Sequence, residues 1–373
     1  MPVRVTQVKL VDRLFLIGAP GIGKTEVIKQ LSIQEAQTRG KSFVDLREAD
    51  GKTLDDVLEN PGKFYVYYRI IAPHVFPEDL GIPRTNGSHG KEYVEFLPPK
   101  VLKILSADGI EGVLFIDELT NVQRDDQLSM LYSLILEKEA SWILKLSKNI
   151  KIVAAGNPAE WSEITRPLPK PLRNRMTIVE VSPPTTDEWY NYMDRKYGDG
   201  WERLTYAYVR MFQDDFIKPP SDDDTSAFPT PRSWTNLAVL LHGFSGADPE
   251  FVEEIVVGSV GKDVGIKFMA LLKTKAEIVR LVEKVKTGPE AFDKFNVNEK
   301  ILVVHAVSQQ HLDEMTRTYS KFIEYLAAKH REYLVLMILL MSREKKVAFI
   351  KKFSALLKEV AGELLKYVLG GAK

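Results

Sequence analysis

Residues 18–25 read GAPGIGKT, between the apolar run LFLI at 14–17 and a segment of helical spacing that starts at Lys24. A glycine-rich loop at that junction leaves few folds open, because it joins the end of a strand to the start of a helix. Its glycines permit a turn whose backbone N–H groups point inward, and the positive end of the helix dipole adds to them. The result is a cradle for phosphate oxygens. The pattern G-x-x-x-x-G-K-S/T is matched in full. It predicts that Lys24 reaches the β- and γ-phosphates of a nucleotide and that the Thr25 hydroxyl joins the shell of a Mg²⁺ ion. Gly18, Ala19, Pro20, Gly21, Ile22, Gly23, Lys24, Thr25 and Glu26 are taken as the nucleotide-binding set.

A phosphate loop of this kind needs an acid near the metal. VLFIDE at 113–118 supplies one: four apolar residues predict a buried strand, and Asp117 emerges at its carboxyl end. Glu118 beside it is placed to polarise an attacking water. Alone, such a pair often merely caps the next helix. A third strand, KIVAAGNP at 151–158, ends in Asn157, whose amide is suited to orienting that water; alone it would be an ordinary Asn-Pro turn.

The surrounding pattern agrees. Strands are predicted at 13–17, 42–46, 64–71, 112–116 and 150–155, with helices at 24–38, 53–59 and 125–138. Strands alternating with helices predict a mostly parallel α/β sheet with helices on both faces, binding its ligand at the carboxyl ends of the strands. The composition shifts at residues 182–184 (SPP). From there to the end the pattern is helical, broken by the proline-rich loop at 218–231.

Composition narrows the chemistry further. There is no cysteine, which excludes disulfides, thiolate metal sites and a catalytic thiol. Lysine plus arginine total 51, as do aspartate plus glutamate, so the net charge of zero argues against a surface built as a whole to neutralise nucleic acid. The apolar run 333–341 is too short for a membrane helix, which needs about 20 residues. The N-terminal segment lacks the apolar stretch of a secretory signal, and a cytoplasmic protein is expected. His74, His89 and His330 have no partners at metal-ligand spacing and are read as structural. Mg²⁺ is the one metal expected.

The loop, the acid strand and the asparagine strand, in this order, resemble an AAA+ ATPase, and more finely the MoxR-type and dynein-related branch. GAPGIGKT resembles the family's Walker A loop, VLFIDEL its Walker B, IVAAGNP its sensor-1 strand, LPKPLRNRMTIVEV the stretch with the arginine finger, and FPTPRSW the sensor-2 motif. The resemblance runs from about Arg13 to Leu272. It implies ATP and Mg²⁺ as cofactors and catalytic roles for Glu118, Asn157, Arg175 or Arg173 as the finger, and Arg232 as sensor 2. A finger supplied in trans requires a neighbouring subunit, so the resemblance implies a ring, six subunits being the family expectation. It further implies a P-loop NTPase domain over 1–182, a helical lid over 183–275 and a helical extension over 276–373.

Two insertions are characteristic of that branch. One corresponds here to the proline-broken stretch between Tyr65 and Val101, the other to residues 139–149. Tyr93, Phe96 and Trp142 are candidates for gripping a client, although packing is the commoner role of aromatics. Lys145 and Lys148 are either a nucleic-acid contact or solvated surface. The implied function is ATP-driven remodelling or activation of a partner protein, commonly alongside a von Willebrand A-domain protein. A nucleic-acid motor and a non-hydrolysing nucleotide switch are the alternatives. Residues 343–373 carry eight basic and three acidic side chains, with apolar positions at helical spacing from Val347 to Val360. They read as a basic amphipathic helix that docks on its own domain or on a partner.

Overall fold

The computed structural model describes residues 2–88, 91–140, 144–161, 164–220, 226–244, 248–273 and 278–359. It divides into two compact units, Met1–Pro183 and Pro184–Lys373.

The strands are β1 (Val3–Arg4), β2 (Leu14–Ile17), β3 (Ser42–Asp45), β4 (Phe64–Ile71), β5 (Ile82–Ser88), β6 (Lys91–Leu97), β7 (Glu111–Asp117), β8 (Glu139–Ala140), β9 (Leu144–Lys145), β10 (Ile150–Gly156) and β11 (Thr177–Ser182). Seven of them form one sheet in the order β1-β11-β2-β10-β7-β4-β3. Every pairing in it is parallel. The first unit also holds α1 (Lys24–Thr38), α2 (Gly51–Glu59), α3 (Lys100–Ser106), α4 (Asp125–Glu137) and α5 (Lys170–Arg175). This is the expected parallel α/β sheet, with the glycine-rich loop between β2 and α1, followed by a helical region.

Strand alternation sorts the side chains onto two faces. Phe15, Val66, Ile70, Leu114, Ile116, Ile152 and Ala154 join a core with Val57 of α2, Leu102 and Leu105 of α3, Leu131 and Leu134 of α4 and Leu172 of α5. The opposite face carries Tyr65 and Tyr67, and it is reached by Arg39, the residue after α1, whose guanidinium lies 5.9 Å from the Tyr65 ring centre. Both faces are covered, which explains the near-continuous apolar strands. α1 stops where Gly40 adopts φ 64° and donates to the Gln37 carbonyl, while Lys41 donates to that of Ala36.

The predicted strands and helices of this unit are present within one or two residues. The edge strand β1 and its neighbour β11 lacked a signal: β11 is half exposed, and its sequence TIVEVS has no long apolar run. The stretch between Tyr65 and Val101 contains an antiparallel hairpin, β5 paired with β6 from Ile82↔Leu97 to Ser88↔Lys91. A second, short hairpin pairs β8 with β9. The side chain of Tyr93, as well as Trp142 and His89, lie outside the described residues. Phe96 is half-buried.

The second unit contains α6 (Thr186–Tyr197), α7 (Leu204–Met211), α8 (Pro231–Gly243), α9 (Pro249–Val260), α10 (Lys262–Lys273), α11 (Ile278–Thr287), α12 (Val297–Gln309), α13 (Leu312–Thr318), α14 (Ser320–Lys329), α15 (Arg331–Leu339) and α16 (Arg343–Lys352). Capping boxes start α6 (Thr185 with Glu188), α8 (Thr230 with Ser233) and α12 (Asn296 with Glu299). Trp189, Trp201, Tyr208, Trp234 and Phe268 pack at ring distances of 5.3 to 5.8 Å. The same core continues through Ile301, Val304, Phe322 and the fully buried Leu334–Met341 stretch. Side chains from both sides of residue 275 therefore share one interior. Among the described residues no helix is long and apolar enough to cross a membrane.

The tail departs from the amphipathic expectation in two places. Val347, expected on the apolar face, is 54 % exposed. Lys346, expected on the basic face, is buried, with its ammonium 2.5 Å from the Tyr190 hydroxyl and 3.9 Å from Asp194. The helix ends at Lys352, and residues 360–373 lie outside the described part. Burial pushes the Lys346 pKa down to about 8, against the pull of Asp194. His330 sits 2.7 Å from Asp293 and against Phe292, a structural histidine in keeping with the sequence reading.

Candidate functional site

β2 runs in the middle of the sheet, between β11 and β10, and the chain leaving it returns as β3 at the far edge. Such a switch point opens a crevice at the carboxyl ends of the strands. The loop at 18–23 lies there. Gly21 and Gly23 have φ of 72° and 99°, the left-handed conformation in which L side chains are strained. Gly23 is the residue immediately before α1, so the turn delivers Lys24 and Thr25 to the helix N-terminus.

Lys24 is buried, and its ammonium donates to the carbonyl oxygens of Gly18 at 2.6 Å and Ala19 at 2.8 Å and to the Asn157 side-chain oxygen at 2.9 Å. A buried lysine needs such partners to keep its charge. The Thr25 hydroxyl donates to Asp117 Oδ2 at 2.8 Å. The two residues expected at a metal are thus in direct contact, 92 positions apart in sequence.

Asp117 ends β7, and Glu118 follows it with φ 59° and ψ 33°. A non-glycine residue in that region costs on the order of 1–3 kcal/mol and persists only when its surroundings hold it. Here the Glu118 N–H donates to Asp117 Oδ1 at 3.1 Å and its carbonyl accepts from Asn121 N–H at 2.9 Å. Asn157 is held by Thr120: the Asn157 N–H donates to Thr120 Oγ1 at 3.0 Å, and that hydroxyl donates back to the Asn157 carbonyl at 3.2 Å. Gly156 is needed because Thr120 packs where a side chain would begin. A Cβ there would fall 2.6 Å from Thr120 Cγ2.

Arg173 and Arg175 are both exposed on α5, Arg175 reaching Glu137 at 3.5 Å. Arg232 is exposed in the first turn of α8, in the second unit. Glu26 lies in the first turn of α1 and accepts from Gln30.

Two participants were missed. Thr120 gives no sequence signal beyond following the Asp-Glu pair. Arg69 on β4 bonds Asp117 Oδ2 through Nε at 3.0 Å and Nη2 at 2.7 Å. A lone arginine in FYVYYRII, two and four positions after buried tyrosines, was the available clue. It shares the sheet face of Tyr65 and Tyr67, whose hydroxyls burial pushes up in pKa.

The donor set fits a Mg²⁺–nucleotide pair. Thr25 and Asp117 offer oxygen only, as a hard cation requires. No group of three or more metal-ligating side chains occurs among the described residues. A divalent ion here would therefore take further ligands from phosphate and water, as Mg²⁺ does in phosphate sites. The positive-φ glycines and the N-terminus of α1 fit the phosphates.

No family model matches the chain, and no curated protein matches it. Among solved structures, similarity is found to a mutant form of RuvB from Thermotoga maritima, at 16% identity over 85% of this chain and 81% of that one, with a TM-score of 0.31. NtrX of Brucella abortus matches at 14% identity over 85% of this chain and 66% of that one, with a TM-score of 0.33. DnaA of Aquifex aeolicus, bound to AMPPCP, matches at 12% identity over 98% of this chain and 89% of that one, with a TM-score of 0.31. With TM-scores this low, the assignment of fold rests on the strand order and the loop.

Proposed function

We propose that the chain is an ATP-hydrolysing ring protein of MoxR type that remodels or activates a partner protein. The observation that carries the ATPase part is the convergence of Lys24, Thr25, Asp117 and Asn157 at the mouth of one loop. Lys24 and the loop amides bind and orient the β- and γ-phosphates. Thr25 and Asp117 would hold Mg²⁺, which supplies charge neutralisation on the transferred phosphoryl group. Glu118 takes the proton of the attacking water, and Asn157 fixes that water's position.

Arg175 serves as the finger for a neighbour's site, with Arg173 beside it. Exposure of both on α5 supports this assignment. Arg232, at the start of α8, acts as sensor 2 and ties the lid, residues 183–275, to the nucleotide. Residues 276–373 brace that lid through the shared core. The finer placement is supported by the two hairpins, β5–β6 and β8–β9, which stand where the MoxR-type insertions are expected. Ile82 and Val94 are exposed on the first, one on each face, and are the apolar points offered to a protein client such as a von Willebrand A-domain protein.

Subunit mixing tests the ring. Arg175→Ala keeps its own site and Lys24→Ala keeps its finger, so a mixture should regain activity that neither has alone. A mixture no more active than its parts refutes the trans role. ATPase unresponsive to DNA at low salt fits a protein client, whereas stimulation that falls steeply with salt would favour a nucleic-acid motor.

A further inference from the structure

Asp117 already has a cation. Its Oδ2 accepts two hydrogen bonds, from the Thr25 hydroxyl at 2.8 Å and Arg69 Nε at 3.0 Å, and Arg69 Nη2 lies 2.7 Å away as the closest atom of the ion pair. Its Oδ1 accepts the Glu118 N–H. A carboxylate oxygen has two lone pairs, so Oδ2 has none left.

Asp117 is expected to hold Mg²⁺ through a water of the ion's shell, and that water must donate to a carboxylate lone pair. The Thr25 contact is compatible with this. The hydroxyl would go on donating to Asp117 while its own lone pairs remain available to the ion. The Arg69 contact opposes it, because a planar, permanent cation takes the remaining acceptor site of Oδ2 and repels a second cation nearby.

Resting on the nucleotide-site reading above, we propose that Arg69 is a positioning residue that competes with the divalent cation for Asp117. The guanidinium holds the carboxylate in place when the metal is absent, and the incoming metal–nucleotide must displace it. Arg69 thereby sets how strongly the metal and the nucleotide assist each other's binding, a coupling that is reciprocal by linkage.

The test measures the affinity of fluorescently labelled ADP in EDTA and in saturating Mn²⁺, and takes the ratio of the Mn²⁺ affinity to the EDTA affinity. In Arg69→Gln this ratio should rise on the order of tenfold over wild type, the scale for removing one nearby charge. Arg69→Lys, which keeps the charge but loses the fork, should fall between. It also serves as the readout if the glutamine variant does not fold. A ratio unchanged or lowered in the folded variant overturns the proposal. Wild-type protein that binds ADP in neither condition overturns instead the nucleotide-site reading, and this proposal with it.

Discussion

The Lys24 ammonium donates to the Asn157 side-chain oxygen across 2.9 Å, joining residues 133 positions apart at the mouth of the phosphate loop. The Asn157 main chain is held independently by Thr120. Removing the side chain should therefore leave the turn in place and take away only what the amide does. Asn157→Ala should lower kcat by about 10²–10³, the scale for losing one preorganised group at a transition state, while ADP affinity changes little. Steady-state kinetics with a parallel ADP titration separate the two. A loss of affinity as large as the loss of kcat would assign Asn157 to ground-state binding.

Glu118 combines a chemical role with a strained backbone at φ 59°. Glycine tolerates that conformation and a β-branched residue does not. Glu118→Gly should be more stable than Glu118→Val by roughly 1–2 kcal/mol in urea unfolding, although both are inactive. Equal stability of the two would mean that the loop relaxes freely and that Glu118 is not held.

Gly156→Ala should be damaging at a distance from the substrate. The new Cβ would meet Thr120 Cγ2 at 2.6 Å and Oγ1 at 2.7 Å. Overpacking of this kind costs typically about 1–3 kcal/mol. Thr120 would also be pushed off Asn157, so kcat should fall as well. Adding Thr120→Ser, which removes the methyl and keeps the hydroxyl, should recover part of both losses, and no recovery in either would exclude Thr120 as the obstacle.

Lys346 makes a pH prediction. It faces Tyr190 and Asp194 of α6, Arg203 at the start of α7, Asp199 and, on its own helix, Arg343. Its folded pKa of about 8 lies below the ordinary 10.5, so the folded protein prefers the neutral amine. Below pH 8 both states hold the proton and the burial cost is fully present. Between pH 8 and 10.5 the unfolded chain keeps a proton that the folded protein has released, and stability rises with pH by up to about 3 kcal/mol. Lys346→Met should remove that rise. Urea unfolding of both proteins from about pH 7 to 10 tests it, and parallel curves would contradict it.

What could be read in the sequence follows from which interactions are local. β2, the loop and α1 were legible because apolar run, glycines and helix spacing lie in one stretch. β7 and β10 were legible because burial on both faces gives continuous apolar runs ending in Asp117 and Asn157. β11 was not, since an outer strand half exposed to solvent needs no such run. Arg69 and Thr120 act through partners 48 and 37 residues away, and no local pattern announces either contact. Lys346 looked like surface because the groups that accept its ammonium, Tyr190 and Asp194, lie some 150 residues earlier.

The central claim is that the Lys24–Asp117–Asn157 constellation hydrolyses ATP with Glu118 as the base. Phosphate release by the purified protein with ATP and Mg²⁺, measured beside Glu118→Gln and Lys24→Ala, tests it most directly. The account predicts turnover by wild type, a loss of about 10²–10⁴ in Glu118→Gln with ATP still bound, and loss of both binding and turnover in Lys24→Ala. Undiminished turnover in either variant would contradict it.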